Sequence, residues 1–184
     1  MKTLPLIGGL AALMLSACTS MEVAAPDPET GRLEASHEAV VVSQKAVPLD
    51  EKKDLILVTA NDFFVKQTAA LGYFGEVIDR EELEAIVIRE NLIEQVPGVQ
   101  DKIGIARAAR AYEPFLWLEV DVREDDASNK LYLQLILQEA ATMEELWRAE
   151  RYIDTVWAGM NDQNTFYPLF NALLDYIEEN SEER

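Results

Sequence analysis

The sequence predicts an α/β (α+β) fold: a single layered domain with a central mixed sheet of about five to six strands, helices packed on it, and an amphipathic C-terminal helix. Three observations lead there. Strand-like and helix-like segments alternate after about residue 37, Leu116–Gln138 reads as one long hairpin, and Phe166–Ile177 carries an apolar stripe at helical spacing. With 49% of the chain apolar, residues 37–184 can bury one core without cross-links.

Glu38–Gln44, rich in valine, is expected to be a strand, and Pro48–Lys53 a turn. Leu55-Ile56-Leu57-Val58 is an unbroken apolar run of the length of a strand buried on both faces. Asn61 or Asp62 caps a helix bearing Phe64, Thr68 and Leu71 that stops at Gly72. Glu76-Val77-Ile78 is a short strand, and Asp79 with Glu82 forms a capping box for a helix to about Asn91, with Leu83, Ile86 and Val87 inward. Beyond Pro97-Gly98, Asp101 opens a helix to Tyr112 that is expected to face inward through Ile103, Ala106 and Ala109.

The hairpin follows. Leu116, Leu118, Val120 and Val122 alternate with Trp117, Glu119, Asp121 and Arg123, and Leu131, Leu133, Leu135 and Leu137 alternate with Tyr132, Gln134, Ile136 and Gln138. Residues 124–129 form its polar turn, and a third strand is expected over Leu146–Tyr152. The last helix aligns Phe166, Leu169, Phe170, Leu173, Leu174 and Ile177, and Pro168 requires its cap near Asn164 or Thr165.

The amino terminus has a different character. Met1-Lys2-Thr3, an apolar run from Leu4 to Leu15, and Ser16-Ala17-Cys18 follow the basic, apolar, small order of a secretory signal. The run is too short to span a bilayer, which takes about 20 residues. Leu15-Ser16-Ala17-Cys18 resembles the lipobox of bacterial lipoproteins, and the single cysteine of the chain stands where that motif requires it. The resemblance implies removal of residues 1–17, lipidation at Cys18, and a membrane partner reached through that lipid. Thr19, rather than aspartate, follows the cysteine; in the enteric-type sorting rule this implies the periplasmic face of the outer membrane, with the inner membrane and the cell surface as alternatives. Residues 18–36, with Pro26, Pro28, Gly31 and few large apolar side chains, read as a flexible tether. Such a tether reaches roughly 20–25 Å.

The formal charge is −18, and cleavage before Cys18 removes Lys2 and no acid. A surface this acidic repels phosphate backbones, so nucleic acid is excluded as a partner. Acylation of Cys18 would leave no thiol for disulfides or catalysis. His37, the sole histidine, stands at the end of the expected tether, which argues against triad catalysis and histidine metal sites. No Gly-x-Ser-x-Gly, P-loop or dinucleotide fingerprint is present. The acidic turn Glu124-Asp125-Asp126 with Asn129 departs from calcium-loop spacing and reads as a solvated turn. No cofactor and no metal are expected.

Candidate contact residues are large side chains in exposed settings. Trp117 and Tyr132 share the second face of the hairpin with Ile136 and several polar residues: covered by helices, this face is a second core layer; open, it is an aromatic patch rimmed with polar groups. Trp157 and Met160 lie in an expected loop, where they either contact a partner or plug the end of the domain.

Val77-Ile78-Asp79-Arg80-Glu81-Glu82-Leu83, a strand running into Asp-Arg and an acidic helix, resembles a motif of a small periplasmic α/β domain. That domain is shared by the curli-secretion lipoprotein, outer-membrane lipoprotein activators of penicillin-binding proteins, and the amino-terminal domain of TolB. Leu131–Gln138, Thr142–Glu145 and Trp147 resemble its later hairpin and tryptophan-bearing strand, so the similarity spans about residues 38–178. The resemblance implies a non-catalytic accessory or assembly module that binds another envelope protein or self-associates. No extra segment for a pore and no propeller repeat accompanies it. The alternative is a ligand-binding lipoprotein or a periplasmic enzyme working through carboxylates.

Overall fold

The computed structural model describes residues 21–153 and 162–182. Cys18, Trp157 and Met160 lie outside them. The elements run β1 (Val40–Gln44), a 3-10 turn (Leu49–Glu51), β2 (Leu55–Thr59), α1 (Asp62–Ala70), β3 (Glu76–Ile78), α2 (Arg80–Arg89) and α3 (Lys102–Ala111). The hairpin β4 (Leu116–Asp125) and β5 (Lys130–Glu139), then β6 (Glu144–Tyr152), a π-helical turn (Asp162–Phe166) and α4 (Tyr167–Asn180) complete the domain. The six strands form one mixed sheet in the order β1-β6-β5-β4-β2-β3. The β3, β2 and β4 strands are parallel, and the rest pair antiparallel.

Apolar patterning explains the layers. The buried run of β2 faces both ways: Ile56 and Val58 enter the larger core under α1 and α4, and Leu55 and Leu57 enter the smaller core under α2 and α3. The hairpin pairs Leu118 with Leu137 and Val120 with Leu135, in the register its alternation requires. Every predicted stripe residue of α4 is buried, with Phe166 and Phe170 packed against Phe63 and Phe64 of α1. Asn61 caps α1 through the Phe63 amide, and Gly72 reverses the chain at φ +71°. Asp79 and Glu82 close the capping box in both directions.

Three expectations need correcting. Helix α3 buries Ala106 and Ala109 as expected, but it turns Ile105 rather than Ile103 into the smaller core, with Ala108 beside it, and leaves Ile103 57% exposed. Its rotation is set at Gly104, where a Cβ would stand 2.1 Å from the Gly98 carbonyl oxygen, so the helix lies on the backbone of the preceding loop. Helix α4 starts one or two residues later than expected, with Phe166 as an N-cap that makes no side-chain cap hydrogen bond; it grows out of the π-helical turn, and Pro168 lies in its first turn as expected.

The third correction is larger. Residues 21–36, expected to be tether, run along the domain as a strap. Gln67, buried in α1, accepts from the Ala24 amide and donates to its carbonyl. Asn171 of α4 does the same for Leu33. Two side-chain amides thus satisfy backbone that a free tether would leave to water. The Leu33 side chain enters the larger core at 3% exposure. Arg32 bridges Asp175 and Glu178, the Tyr167 hydroxyl donates to the Glu22 carbonyl, and the Ser36 amide reaches Gln163.

Candidate functional site

The second face of the hairpin is divided. Helices α2 and α3 cover its β2-proximal end, where Trp117 is 1% exposed and donates its indole N–H to Thr59 Oγ1 at 2.8 Å. Lys102 caps that ring at 5.3 Å and pairs with Glu119 at 2.8 Å. Trp117 is therefore a core residue of the second layer, and its side chain offers no surface to a partner.

The smaller apolar core reaches no further across the hairpin than Trp117 and Ala140. Farther out, strand alternation brings Arg123, Tyr132, Gln134, Ile136, Arg148, Glu150 and Tyr152 to one side, in the registers Arg123–Tyr132–Tyr152, Gln134–Glu150 and Ile136–Arg148. Ser43 on β1 extends the row through Glu145.

These side chains form a ladder across four strands. Ser43 donates to Glu145, which pairs with Arg148; Arg148 donates to Gln134 at 3.4 Å, and Gln134 donates to Glu150 at 2.8 Å. Glu150 in turn accepts from Arg123, with Nη2 at 2.9 Å and Nε at 3.1 Å. The Arg123 guanidinium lies 4.6 Å from the centre of the Tyr132 ring, and Tyr132 meets Tyr152 at 5.9 Å. Gln134 is a buried rung of the ladder and Ile136 is buried beside it, whereas the Arg123 and Arg148 side chains keep 40% and 30% of their surface. Arg and Tyr stems lying over a sheet while their heads reach water are amphipathic contact groups.

Electrostatics keep the ladder charged. Burial opposes ionisation of Glu150, but hydrogen bonds from Arg123 and Gln134 outweigh it and hold the carboxyl below the usual glutamate range. Glu145 behaves alike: burial is offset by hydrogen bonds from Arg148 and Ser43. The hydrogen bond to Glu150 raises Arg123 further above its ordinary value. Arg148 Nε is buried without a partner among the described residues.

Tyr132 is the one sequence-named contact residue that the structure describes as part-exposed, at the outer end of this face. Arg123, Arg148, Glu145, Glu150 and Tyr152 were not singled out beforehand. Their signal was present in β6, where Trp147 and Ala149 alternate with Arg148, Glu150 and Tyr152, but it became legible only once β6 was paired with β5. Among the described residues no group of three or more His, Cys, Asp or Glu could hold a metal ion, and no helix is long and apolar enough to cross a membrane.

No protein-family model matches the chain, and no curated protein matches it. Two solved structures are similar to parts of it. The LpoB C-terminal domain from Salmonella enterica is 17% identical, covering 55% of this chain and 83% of its own at a TM-score of 0.34. The LpoB C-terminal domain from Escherichia coli is 17% identical, covering 56% and 84% at a TM-score of 0.35.

Proposed function

We propose that this chain is a lipid-anchored lipoprotein of the bacterial envelope that works without catalysis, as an accessory or assembly module binding another envelope protein. The observation that carries the reading is the outer half of the second sheet face. There an Arg-Glu ladder with two tyrosines lies past the end of the smaller apolar core. Arginine and tyrosine are the residues that interfaces concentrate, because each combines a large apolar body with directed polar groups. Trp157 and Met160, five and eight residues beyond Tyr152 in the chain, stay in the proposal as candidate contacts.

Attachment through Cys18 gives the domain a place. Chain enters the strap at Met21, so three Cα steps separate it from the lipidated residue. At 3.8 Å each they span at most about 11 Å. A domain on so short a lead lies against its membrane, on the periplasmic face of the outer membrane in this reading. A carboxylate enzyme is the alternative; at the ladder itself Glu145 and Glu150 are engaged by Arg148 and Arg123, so neither is the protonated carboxyl that a general acid requires.

The test is site-specific photocrosslinking of the full chain in its own envelope. A photoreactive residue at Tyr132 or Tyr152 should capture a discrete protein. Arg123→Gln, which keeps a hydrogen-bonding group opposite Glu150, should strongly weaken that capture in a chain that still unfolds cooperatively, and its loss of melting temperature should match that of Glu150→Gln, which breaks the same pair from the other side. Captures confined to the opposite face would move the site, and turnover of an envelope substrate by the purified chain would overturn the non-catalytic reading.

A further inference from the structure

The geometry points to β1 as a docking edge: the groove between β1 and α4 takes an extended segment of an envelope protein, bearing Lys or Arg at alternate positions, by strand addition. This rests on the partner-binding reading above and adds a second surface, contiguous with the ladder through Ser43.

Among the described residues the sheet ends at β1, which pairs with β6 on one side. An edge strand carries a row of backbone donors and acceptors that can template another chain, and proteins usually blunt such edges with lysine or proline. Strand β1 has neither: it reads Val-Val-Val-Ser-Gln, with Val40, Val41 and Val42 at 64%, 44% and 51% exposure. A bulge between Val41 and Ser43 shortens the regular stretch without covering it.

Beside this edge lies a groove of about 680 Å³, with Val41 and Gln44 on the strand side and Asp175, Glu178 and Glu179 on the helix side. Arg32 offsets part of that charge by pairing with Asp175 and Glu178. Glu179 makes no ion pair among the described residues, so the rim stays negative. Charge then selects the occupant. A second copy would set two acidic rims together in a chain of net charge −18, and an anionic lipid surface would be repelled likewise. A basic segment is attracted. Added as a strand, it places every second side chain toward the α4 carboxylates and the others beside Val40 and Ser43.

The experiment uses the full-length protein in detergent, isotope-labelled and titrated with three octapeptides: alternating Lys-Val, alternating Glu-Val, and Lys-Val methylated at alternate backbone nitrogens. The Lys-Val peptide should bind, slow hydrogen exchange of the β1 amides that do not pair with β6, and weaken with salt. Glu179→Lys, at an exposed position, should weaken it roughly fivefold, as removal of one surface attraction and gain of one repulsion imply. Equal binding of the acidic peptide, equal binding of the methylated peptide, or binding without protection of β1 would each overturn the inference. So would a dimer whose formation protects β1. If no peptide engages β1 while Tyr132 still crosslinks a partner, the edge proposal fails and the functional reading stands; loss of both results removes the functional reading as well.

Discussion

Leu33→Ala is the decisive perturbation for the strap. At 3% exposure, nearly all of the Leu33 side chain is withdrawn from water into the larger core. Truncating a buried leucine typically removes 2–5 kcal/mol, the lost transfer free energy plus the cavity left behind. Leu33 lies on a surface segment that can settle into part of the space, so the lower end applies, about 2–3 kcal/mol. In a domain of this size each kcal/mol moves the melting temperature by about 2–4 °C. The variant should therefore melt roughly 4–12 °C lower, whereas Glu29→Ala, on an exposed part of the same segment, should change little. If the strap instead lifts off locally without loosening the rest, the fall in Tm is smaller, but trypsin gains access to Arg32. That bond is held in the wild type by the Asp175 and Glu178 pairs and by the Asn171 clamp on Leu33. Scanning calorimetry and limited trypsin digestion read the two outcomes separately. An unchanged Tm together with unchanged cleavage at Arg32 would refute the claim that residues 21–36 belong to the folded domain.

Leu173→Ala, at a fully buried position of α4, should cost about 2–5 kcal/mol in denaturant unfolding, against less than about 1 kcal/mol for the exposed pair partner Glu178→Ala; equal losses would mean that α4 is peripheral. Cys18→Ser should abolish acyl labelling and leave unprocessed precursor, and normal labelling of that variant would remove the anchor from the functional reading. The ladder predicts a pH signature: a carboxyl whose folded pKa is lowered stabilises the fold above its ordinary value and loses that contribution as pH falls through the lowered one. The stability advantage of the wild type over Glu150→Gln should be full at neutral pH and fade below about pH 4.5, the ordinary glutamate value; an advantage that grows on acidification would contradict the hydrogen-bonding account.

The legible parts of this fold were those in which one element states its own burial. The β2 run, the alternating hairpin, the Asp79–Glu82 box and the α4 stripe each carry a local period or cap, and each has that form in the structure. What local patterning could not supply was the partner of a pattern. Helix α3 contains apolar residues on more than one flank, and only the approach of Gly104 to the Gly98 backbone selects the buried one. Trp117 sat in an alternation that allowed either a covered or an open face; the helices stop partway across, so the face is both, with Trp117 under cover and Tyr132 beyond it.

The strap was the least legible segment, because the signals that mark a tether describe what a segment lacks: apolar mass, period, helix formers. Order came instead from receptors elsewhere in the chain. Gln67 reads as one more polar helix residue and Asn171 as the solvated side of an amphipathic helix, yet each grips one strap residue by its N–H and C=O together. Leu33 then anchors the strap in the larger core, where Met21, Ala24 and Ala35 pack beside it. The consequence for function is geometric. If the chain is anchored through Cys18 as proposed, a tether of eighteen residues would let the domain sample partners some 20 Å from the membrane, whereas a strap packed on the domain from Met21 onward limits the lead to about 11 Å. Restoring the longer reach, by inserting a flexible glycine-serine segment before Met21, should leave folding intact while lowering capture of a membrane-proximal partner.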